Sequence, residues 1–308
     1  MADKIKLTFL GTSSAVPTKS RNHPSILLQY KEQNLLFDCG EGTQRQFRKA
    51  KLNPCKLTKI FISHWHGDHI LGLPGLLQTL ALNGYNNVLE IYGPLGTKQK
   101  MKNLFEFFLN SYLQTSLNEN FKIKIIEVKE KTVLETQEFK IESIQTKHNT
   151  NSLAYSFILK ERTRIDKEKL KKLDLENSPL IGELAKGNII EYKNKKIDGK
   201  KLIYNEPSKK ITYISDTTFF KELIKFSLNS NILISESTYS SDDQNQAKEF
   251  FHLTSHDAAN IAKESKSKTL LLFHLSQRYS DIPKQIEKQA KEIFKNSIVV
   301  NDLDSFEI

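Results

Sequence analysis

The sequence predicts an α/β protein in which two β-sheets pack together and helices lie outside them. Three observations carry this. Runs rich in β-branched and aromatic residues recur along most of the chain, each bounded by turn residues. The early runs follow one another closely, whereas the later ones alternate with helical patterns. The chain's 308 residues, 38% hydrophobic and 27% charged, suffice to bury a large core. Disorder, a collagen and a small stapled scaffold are thereby excluded.

Taken in order, strands are expected at 4–11, 25–30, 34–40, 59–64, 89–93, 121–128, 139–148, 153–160, 210–216, 232–238 and 269–276. A helix is expected over 70–82, where Leu73, Leu76, Leu77 and Leu80 recur at helical spacing. A second helix is expected near the C-terminus. There Asp281 serves as cap, Pro283 suits the first turn, and Ile286, Ala290, Ile293 and Phe294 form the stripe. Residues 161–209 break the pattern: they are highly charged and lack long apolar strands, so they read as an insertion projecting from the core. No short-period repeat and no Gly/Ser linker divides the chain, so one domain over 1–308 with an inserted flexible arm over 161–209 is expected.

The formal charge is +10, and lysine dominates it, because arginine occurs only at 21, 45, 48, 162, 164 and 278. Such a bias suits either a solvated surface or a polyanionic partner. Its location favours the partner: from Lys160 to Lys210 there are 15 Lys/Arg and 9 Asp/Glu. No apolar run approaches a membrane span of roughly 18–20 residues. The N-terminus reads as a strand and not as a signal peptide. With only Cys39 and Cys55, a disulfide framework is not expected and a cytoplasmic location is. Cys39 is read as buried packing.

The strongest chemical signal is His64-Trp65-His66-Gly67-Asp68-His69, directly after a strand and before a helix. Three imidazoles and a carboxylate on one strand-to-helix turn make a metal site; the donors suit zinc first, then iron or manganese. A chance surface cluster is a weak competitor in a chain with only 8 histidines. His148, Asp216, Glu236 and His274 stand at or near the ends of other apolar strands, where open α/β sheets build their sites. Four such residues together are hard to assign to capping. His252 precedes the helix DAANIAKES, but Ser255 is the better N-cap, which leaves His252 for chemistry. Asp38-Cys39-Gly40-Glu41-Gly42 is read as a tight turn beneath the site, its glycines chosen for backbone freedom. His23 and His256 are read as surface or capping residues, and Trp65 as packing.

These motifs resemble the metallo-β-lactamase superfamily and, within it, the short-form ribonuclease Z family of tRNA 3′-processing endonucleases. The likeness runs nearly end to end. It begins with Phe9-Leu10-Gly11-Thr12-Ser13-Ser14-Ala15-Val16-Pro17-Thr18, continues through Lys19-Ser20-Arg21-Asn22, and takes in Phe37–Gln44 and the His64–His69 motif. It then includes His148, Ser215-Asp216-Thr217 and His252-Leu253-Thr254-Ser255, and closes on His274-Leu275-Ser276-Gln277-Arg278-Tyr279. The resemblance implies a four-layer αββα fold with a protruding basic arm. It implies two zinc ions per subunit, Mn²⁺ or Fe²⁺ being possible alternatives: His64, His66 and His148 hold one, Asp68, His69 and His274 the other, and Asp216 bridges them. Asp68, His252 and Glu236 are the catalytic residues it implies, Glu236 orienting His252 as proton donor. Lys19, Arg21, Asn22, Arg278 and Tyr279 are the implied RNA contacts. The arm at 161–209 falls where the family carries its tRNA-gripping exosite. A homodimer is implied, in which one subunit's arm presents precursor tRNA to the other's site.

The expected function is removal of the 3′ trailer from precursor tRNA, leaving a 3′-hydroxyl. The alternative keeps the metals and changes the substrate to a small ester, lactone or thioester. Arg278-Tyr279, His252 and the basic arm argue against it, since an acyl hydrolase needs none of them. A non-catalytic RNA-binding module is the third reading. A complete set of buried ligand-type residues argues against that one, because burying such charge without a use is costly.

Overall fold

The structure is a computed structural model that describes residues 4–108, 121–129, 131–175 and 178–308. Its first six strands are β1 (Ile5–Gly11), β2 (Ser25–Tyr30), β3 (Gln33–Phe37), β4 (Lys59–Phe61), β5 (Val88–Gly93) and β6 (Lys122–Glu127). Next come β7 (Thr132–Glu135), β8 (Phe139–Gln145) and β9 (Leu153–Leu159). Four short strands follow: β10 (Arg162–Ile165), β11 (Ile189–Tyr192), β12 (Lys195–Asp198) and β13 (Ile203–Glu206). The last five are β14 (Lys209–Ile214), β15 (Ile232–Glu236), β16 (Thr269–Phe273), β17 (Ser297–Val299) and β18 (Ser305–Glu307). All eleven expected strands are present. The added ones are three or four residues long, too short to show a period in the sequence.

Two mixed sheets result, each of seven strands. The first runs β18-β1-β2-β3-β4-β5-β6 and the second β17-β16-β15-β14-β9-β8-β7. In the first, β3 to β6 are parallel; in the second, β14 to β17 are. Alternation within the strands explains how they stack. In β4, Phe61 faces the other sheet while Ile60 faces outward. The inner faces meet through aromatic rings, with Phe37 at 5.6 Å from Tyr213 and Phe61 at 5.4 Å from Tyr155 between centroids. Helices Thr43–Lys49, Leu73–Leu82 and Thr97–Phe108 cover the outer face of the first sheet. Helices Glu222–Phe226, Ser255–Glu264 and Pro283–Ile293 cover that of the second.

Two caps differ from expectation. The last helix starts at Pro283 as expected, but Ile282 occupies the cap position and no side-chain cap bond forms, so Asp281 does not serve as cap. Helix Ser255–Glu264 is capped by Thr254, not Ser255. Thr254 and Asp257 form a reciprocal capping box, and Ser255 donates instead to Gln289 at 2.8 Å. Either way, His252 is not the cap.

The 161–209 segment contains short helices and strands around a small core of its own, Leu170, Leu175, Leu184 and Leu202. Strand β10 pairs with β13 and β11 with β12, and none of the four joins either large sheet. Among the described residues, no helix is long and apolar enough to cross a membrane.

Candidate functional site

The C-terminal ends of β3, β4, β14, β15 and β16 point the same way, and the chain places Asp38, His64, Asp216, Glu236 and His274 on or just beyond them. The short helix Gly67–Ile70 after β4 turns Asp68 and His69 back toward the same end. His148, from the loop between β8 and β9, closes the ring. These side chains form two groups whose ligand-type atoms lie within 4.8 Å of one another: His64, His66, His148 and Asp216, and Asp68, His69, Asp216 and His274.

The distances have a clear logic. His64 Nε2 and His148 Nε2 lie 3.0 and 3.2 Å from His66 Nδ1. Asp216 Oδ2 is 3.6 Å from His64 Nε2. In the second group, His69 Nε2 is 3.2 Å from His274 Nε2, and Asp68 Oδ2 is 3.3 and 3.4 Å from the same two nitrogens. The other oxygen of Asp216, Oδ1, lies 3.5 Å from His69 Nε2 and 3.2 Å from His274 Nε2. Asp216 thus gives one oxygen to each group. Bonds of about 2.0–2.1 Å to a tetrahedral ion separate its donors by about 3.3–3.4 Å, and the observed spacings bracket that value.

Tautomers point the same way. His69 Nδ1–H donates to Asp38 Oδ2 at 2.8 Å. His148 Nδ1–H donates to the carbonyl of Phe251 at 3.1 Å. The Ser63 hydroxyl donates to Asp38 at 2.8 Å, so it accepts from His64 Nδ1–H at 3.0 Å. The Thr238 hydroxyl donates to Glu236 Oε2 at 2.6 Å and accepts from His274 Nδ1–H at 2.8 Å. Four rings are therefore anchored through Nδ1, which leaves Nε2 facing the centre, with a lone pair to offer whenever the ring is neutral. Lone pairs gathered this closely repel unless a cation lies between them.

Charge completes the fit. Asp38, Asp68, Asp216 and Glu236 are all buried, and among the described residues their ion pairs are to imidazoles alone. Burial opposes ionisation of Asp216, yet the surrounding imidazoles, His274 and His69 first, hold it well below the usual carboxylate range. Burial also depresses His64, His66 and His148, which keeps their rings neutral, whereas burial of His69 is outweighed by Asp68, then Asp216 and Asp38, which hold it well above the ordinary imidazole value until a cation takes their charge. Neutral imidazoles with ionised carboxylates are the forms that bind transition ions.

Glu236 and His252 stand beside this centre. Glu236 is fully buried and accepts from Thr217 N at 2.9 Å and from His252 Nδ1 at 3.1 Å. A third grouping, Glu236, His252 and His274, also brings ligand-type atoms together. The Glu236 oxygens already accept these bonds and that of Thr238, so it reads as an orienting carboxylate. Burial would lower His252, but Glu236 and then Asp216 push it up to about 9. Its Nδ1 is spent on Glu236, and the ring borders a pocket of about 260 Å³ shared with His66, Asp68, His148, Asp216 and His274.

Several residues fall elsewhere than expected. Arg21 is 4% exposed; its guanidinium donates to Thr12 Oγ1 at 2.7 Å, to the Val300 carbonyl at 2.6 Å and to Asn301 Oδ1 at 2.8 Å. Asn22 donates its amide to the Glu41 carbonyl at 2.5 Å. Tyr279 is buried, donating to Asp243 and accepting from Ser240 N at 3.0 Å. These three hold loops in place, whereas Lys19 is exposed and Arg278 half-exposed, its guanidinium 5.2 Å from the Tyr239 ring centroid. His23 is buried and not a surface residue, with Nε2 3.2 Å from the Ala15 carbonyl. His256 lies 3.5 Å from Glu292 on an outer helix. Trp65 packs against the first outer core and donates to Thr97 Oγ1 at 2.9 Å. Cys39 is buried packing, and burial pushes its thiol up.

The 38–42 turn works differently from expectation at one position. Gly42 does use its freedom, at φ 77°. Gly40 is not among the positive-φ residues, but a Cβ there would lie 2.4 Å from the Asp68 carbonyl oxygen. Close approach explains it: Cys39 N donates to the His69 carbonyl at 2.8 Å, docking the turn on the metal motif.

Asp38 is the functional residue the sequence reading missed. Fully buried, it accepts from Ser63 N at 2.7 Å, from Ser63 Oγ at 2.8 Å and from Tyr213 Oη at 2.6 Å, besides holding His69. Its signal was available, since it follows an apolar strand as Asp216 does. Asp38 and His274 also hold left-handed torsions, at φ 56° and 60°. Non-glycine residues in that region concentrate at functional sites.

A family model described as Anti-Pycsar protein Apyc1 matches residues 5–177. Over its whole length the chain is similar to a ribonuclease Z of Methanothermobacter thermautotrophicus, 38% identical over 306 residues that cover 99% of this chain and 97% of the relative. A ribonuclease Z of Bacillus cereus is 36% identical over 313 residues, covering 99% of each. Human tRNase Z, short form, matches with a TM-score of 0.68 at 25% identity, over 98% of each chain. The metallo-β-lactamase fold protein YhfI of Bacillus subtilis matches with a TM-score of 0.71 at 21% identity, over 99% of this chain and 100% of that one.

Proposed function

Because this chain belongs to the ribonuclease Z family over its whole length, and over residues 5–177 to the family described as Anti-Pycsar protein Apyc1, we propose a division of labour for its site. The protein is a metal-dependent endoribonuclease of the metallo-β-lactamase fold that processes tRNA 3′ ends. The observation that carries the proposal is the placement of Asp216, whose two oxygens each face a separate histidine group.

His64, His66 and His148 would hold one zinc ion and Asp68, His69 and His274 the other, with Asp216 giving one oxygen to each group. Zinc bound there would supply charge stabilisation at the scissile phosphate and make a water acidic enough to attack at neutral pH. Asp68, whose Oδ2 faces His69 and His274, would orient the attacking water and accept its proton at the other oxygen, Oδ1. His252 is kept protonated by Glu236 and donates its Nε2 proton to the departing 3′-oxygen of the tRNA. Nδ1 stays on Glu236 throughout, so the ring does not turn. Lys19 and Arg278 contact RNA phosphates, while Arg21, Asn22 and Tyr279 hold the loops that present them.

The 161–209 arm is a flexible, protruding exosite for the body of the precursor within a single domain over 1–308. The enzyme works as a cytoplasmic homodimer in which each arm serves the partner's site. The test is incubation with a 3′-extended precursor tRNA, with the cut mapped. One cut leaving a 3′-hydroxyl, abolished by chelator and restored by zinc, is the expected result. Hydrolysis of small esters with intact precursor would overturn the proposal.

A further inference from the structure

The lining of the metal pocket includes the apolar side chains Ala15, Val16 and Phe250, and among the described residues Phe250, its most exposed aromatic, stacks on no other ring. Helix Gln244–Glu249 ends at Phe250, and Phe251 takes a left-handed torsion, φ 59°. This corner has two evident duties. Phe250 N donates to the Gln246 carbonyl and His252 N to the Ala247 carbonyl, which fixes the backbone of His252. The Phe251 carbonyl accepts from His148 Nδ1 at 3.1 Å. Neither duty uses the Phe250 side chain. That ring is 50% exposed, yet it lines the same pocket as His66, Asp68, His148, Asp216, His252 and His274. Val16, 44% exposed, borders the pocket too.

A half-exposed phenylalanine beside a highly charged centre gains little from the fold. It belongs to none of the buried cores. Its position suits a flat apolar ligand held next to the reacting phosphate. In an enzyme acting on RNA, that ligand is a nucleobase, since every base offers a π-face and stacks on aromatic side chains regardless of sequence. The scissile phosphate needs such help, because metal ions at this site would bind any phosphate of the chain alike and would not by themselves set which one is cut.

We propose that Phe250 is a base-stacking platform that seats a nucleotide flanking the scissile phosphate and so fixes the position of the cut. This rests on the endoribonuclease reading above. Phe250 is a positioning residue: its ring touches the base and takes no part in proton transfer.

Phe250→Ala, Phe250→Leu and Phe250→Tyr separate stacking from bulk. With precursor tRNA, Phe250→Ala should raise KM about 5- to 150-fold, the range of one lost base–aromatic stack. It should also spread the cut over neighbouring phosphates. Phe250→Leu should resemble the alanine variant, and Phe250→Tyr should restore wild-type behaviour. The loss on precursor tRNA should exceed any loss on bis(p-nitrophenyl) phosphate by at least about fivefold. A precursor carrying 2-aminopurine beside a non-hydrolysable linkage should show quenched fluorescence with wild type and Phe250→Tyr but not with Phe250→Ala. If Phe250→Ala keeps wild-type KM, cut position and quenching, the inference is wrong. If Phe250→Ala instead lowers self-association with those three unchanged, the ring is an interface between copies of this chain, which also overturns it. Absence of precursor cleavage by wild type would fail the endoribonuclease reading itself, a different outcome.

Discussion

Replacing Asp38 by asparagine tests whether a buried carboxylate outside the donor groups governs the metal centre. The substitution conserves shape, and asparagine tolerates the φ of 56° at this position as aspartate does. The hydrogen bonds are not conserved. Asp38 Oδ2 faces three donors, Ser63 Oγ, His69 Nδ1 and Tyr213 Oη, while Oδ1 faces Ser63 N–H. An amide does best with its oxygen toward the three, which turns its NH₂ onto Ser63 N–H. One charge-assisted bond is then lost, a buried N–H is left unpaired, and three bonds weaken to neutral ones. A bond to a charged group contributes about 1.5–3 kcal/mol and an orphaned donor costs about 1–3 kcal/mol. The expected destabilisation is about 3–5 kcal/mol, the range for breaking a buried network. At about 2–4 °C per kcal/mol, melting should fall by about 6–20 °C. His69 keeps only a neutral amide oxygen as its partner, which makes its ring a weaker donor, so the ion it helps to hold should bind about 10- to 100-fold more weakly. Chelator competition followed by metal analysis reads the affinity, and calorimetry reads the stability. Asp38→Asn protein that melts with wild type and resists chelator equally would refute this reasoning.

Asp216→Ala should lose both ions or nearly both, since one carboxylate serves both groups; one ion retained at full affinity by metal analysis would remove the bridge. His252→Ala should keep its metals and RNA affinity yet slow single-turnover cleavage about 10²- to 10⁴-fold, with Glu236→Gln milder in the same direction; an unchanged rate would exclude His252 as donor. The arm can be excised cleanly, because Leu159 and Lys209 pair directly at its root, so Asn-Gly between Lys160 and Ser208 closes a hairpin. The shortened enzyme should bind precursor tRNA with a flatter salt dependence, by about 0.7–0.9 in log–log slope per lost phosphate contact, and still hydrolyse bis(p-nitrophenyl) phosphate. Burial pushes Asp302 up to about 6 despite its bonds to Asn22 N and Thr12. The folded state therefore holds that proton more tightly than the unfolded chain. The resulting stability is full below about pH 4 and is lost as pH rises through about 6. Subtracting the melting curve of Asp302→Asn should expose that decline, and a flat difference across the window would contradict it.

What the sequence determined by itself is local and periodic. A run such as KIFIS reads as a strand whatever surrounds it, and β4 forms there. The His64–His69 motif compresses four ligand-type residues onto one turn, so it announces a metal site before any fold is known. The repeated placement of Asp216, Glu236 and His274 at strand ends was legible for the same reason, because alternating apolar runs mark where each strand stops. Tertiary structure decided what each polar group meets from a distant part of the chain. Arg21 looks like an RNA contact until the Val300 carbonyl, 279 residues away, is seen to claim its guanidinium. Tyr279 is spent on Asp243, and Asp38 joins His69 to Tyr213 across the two sheets. Strand β18 forms because β1, from the opposite end of the chain, pairs with it. Three residues carry no period of their own, and a hydrogen-bond partner hundreds of residues away leaves no trace in spacing or composition. Sequence pattern therefore located the metal centre, while long-range pairing assigned the side chains around it to chemistry or to support.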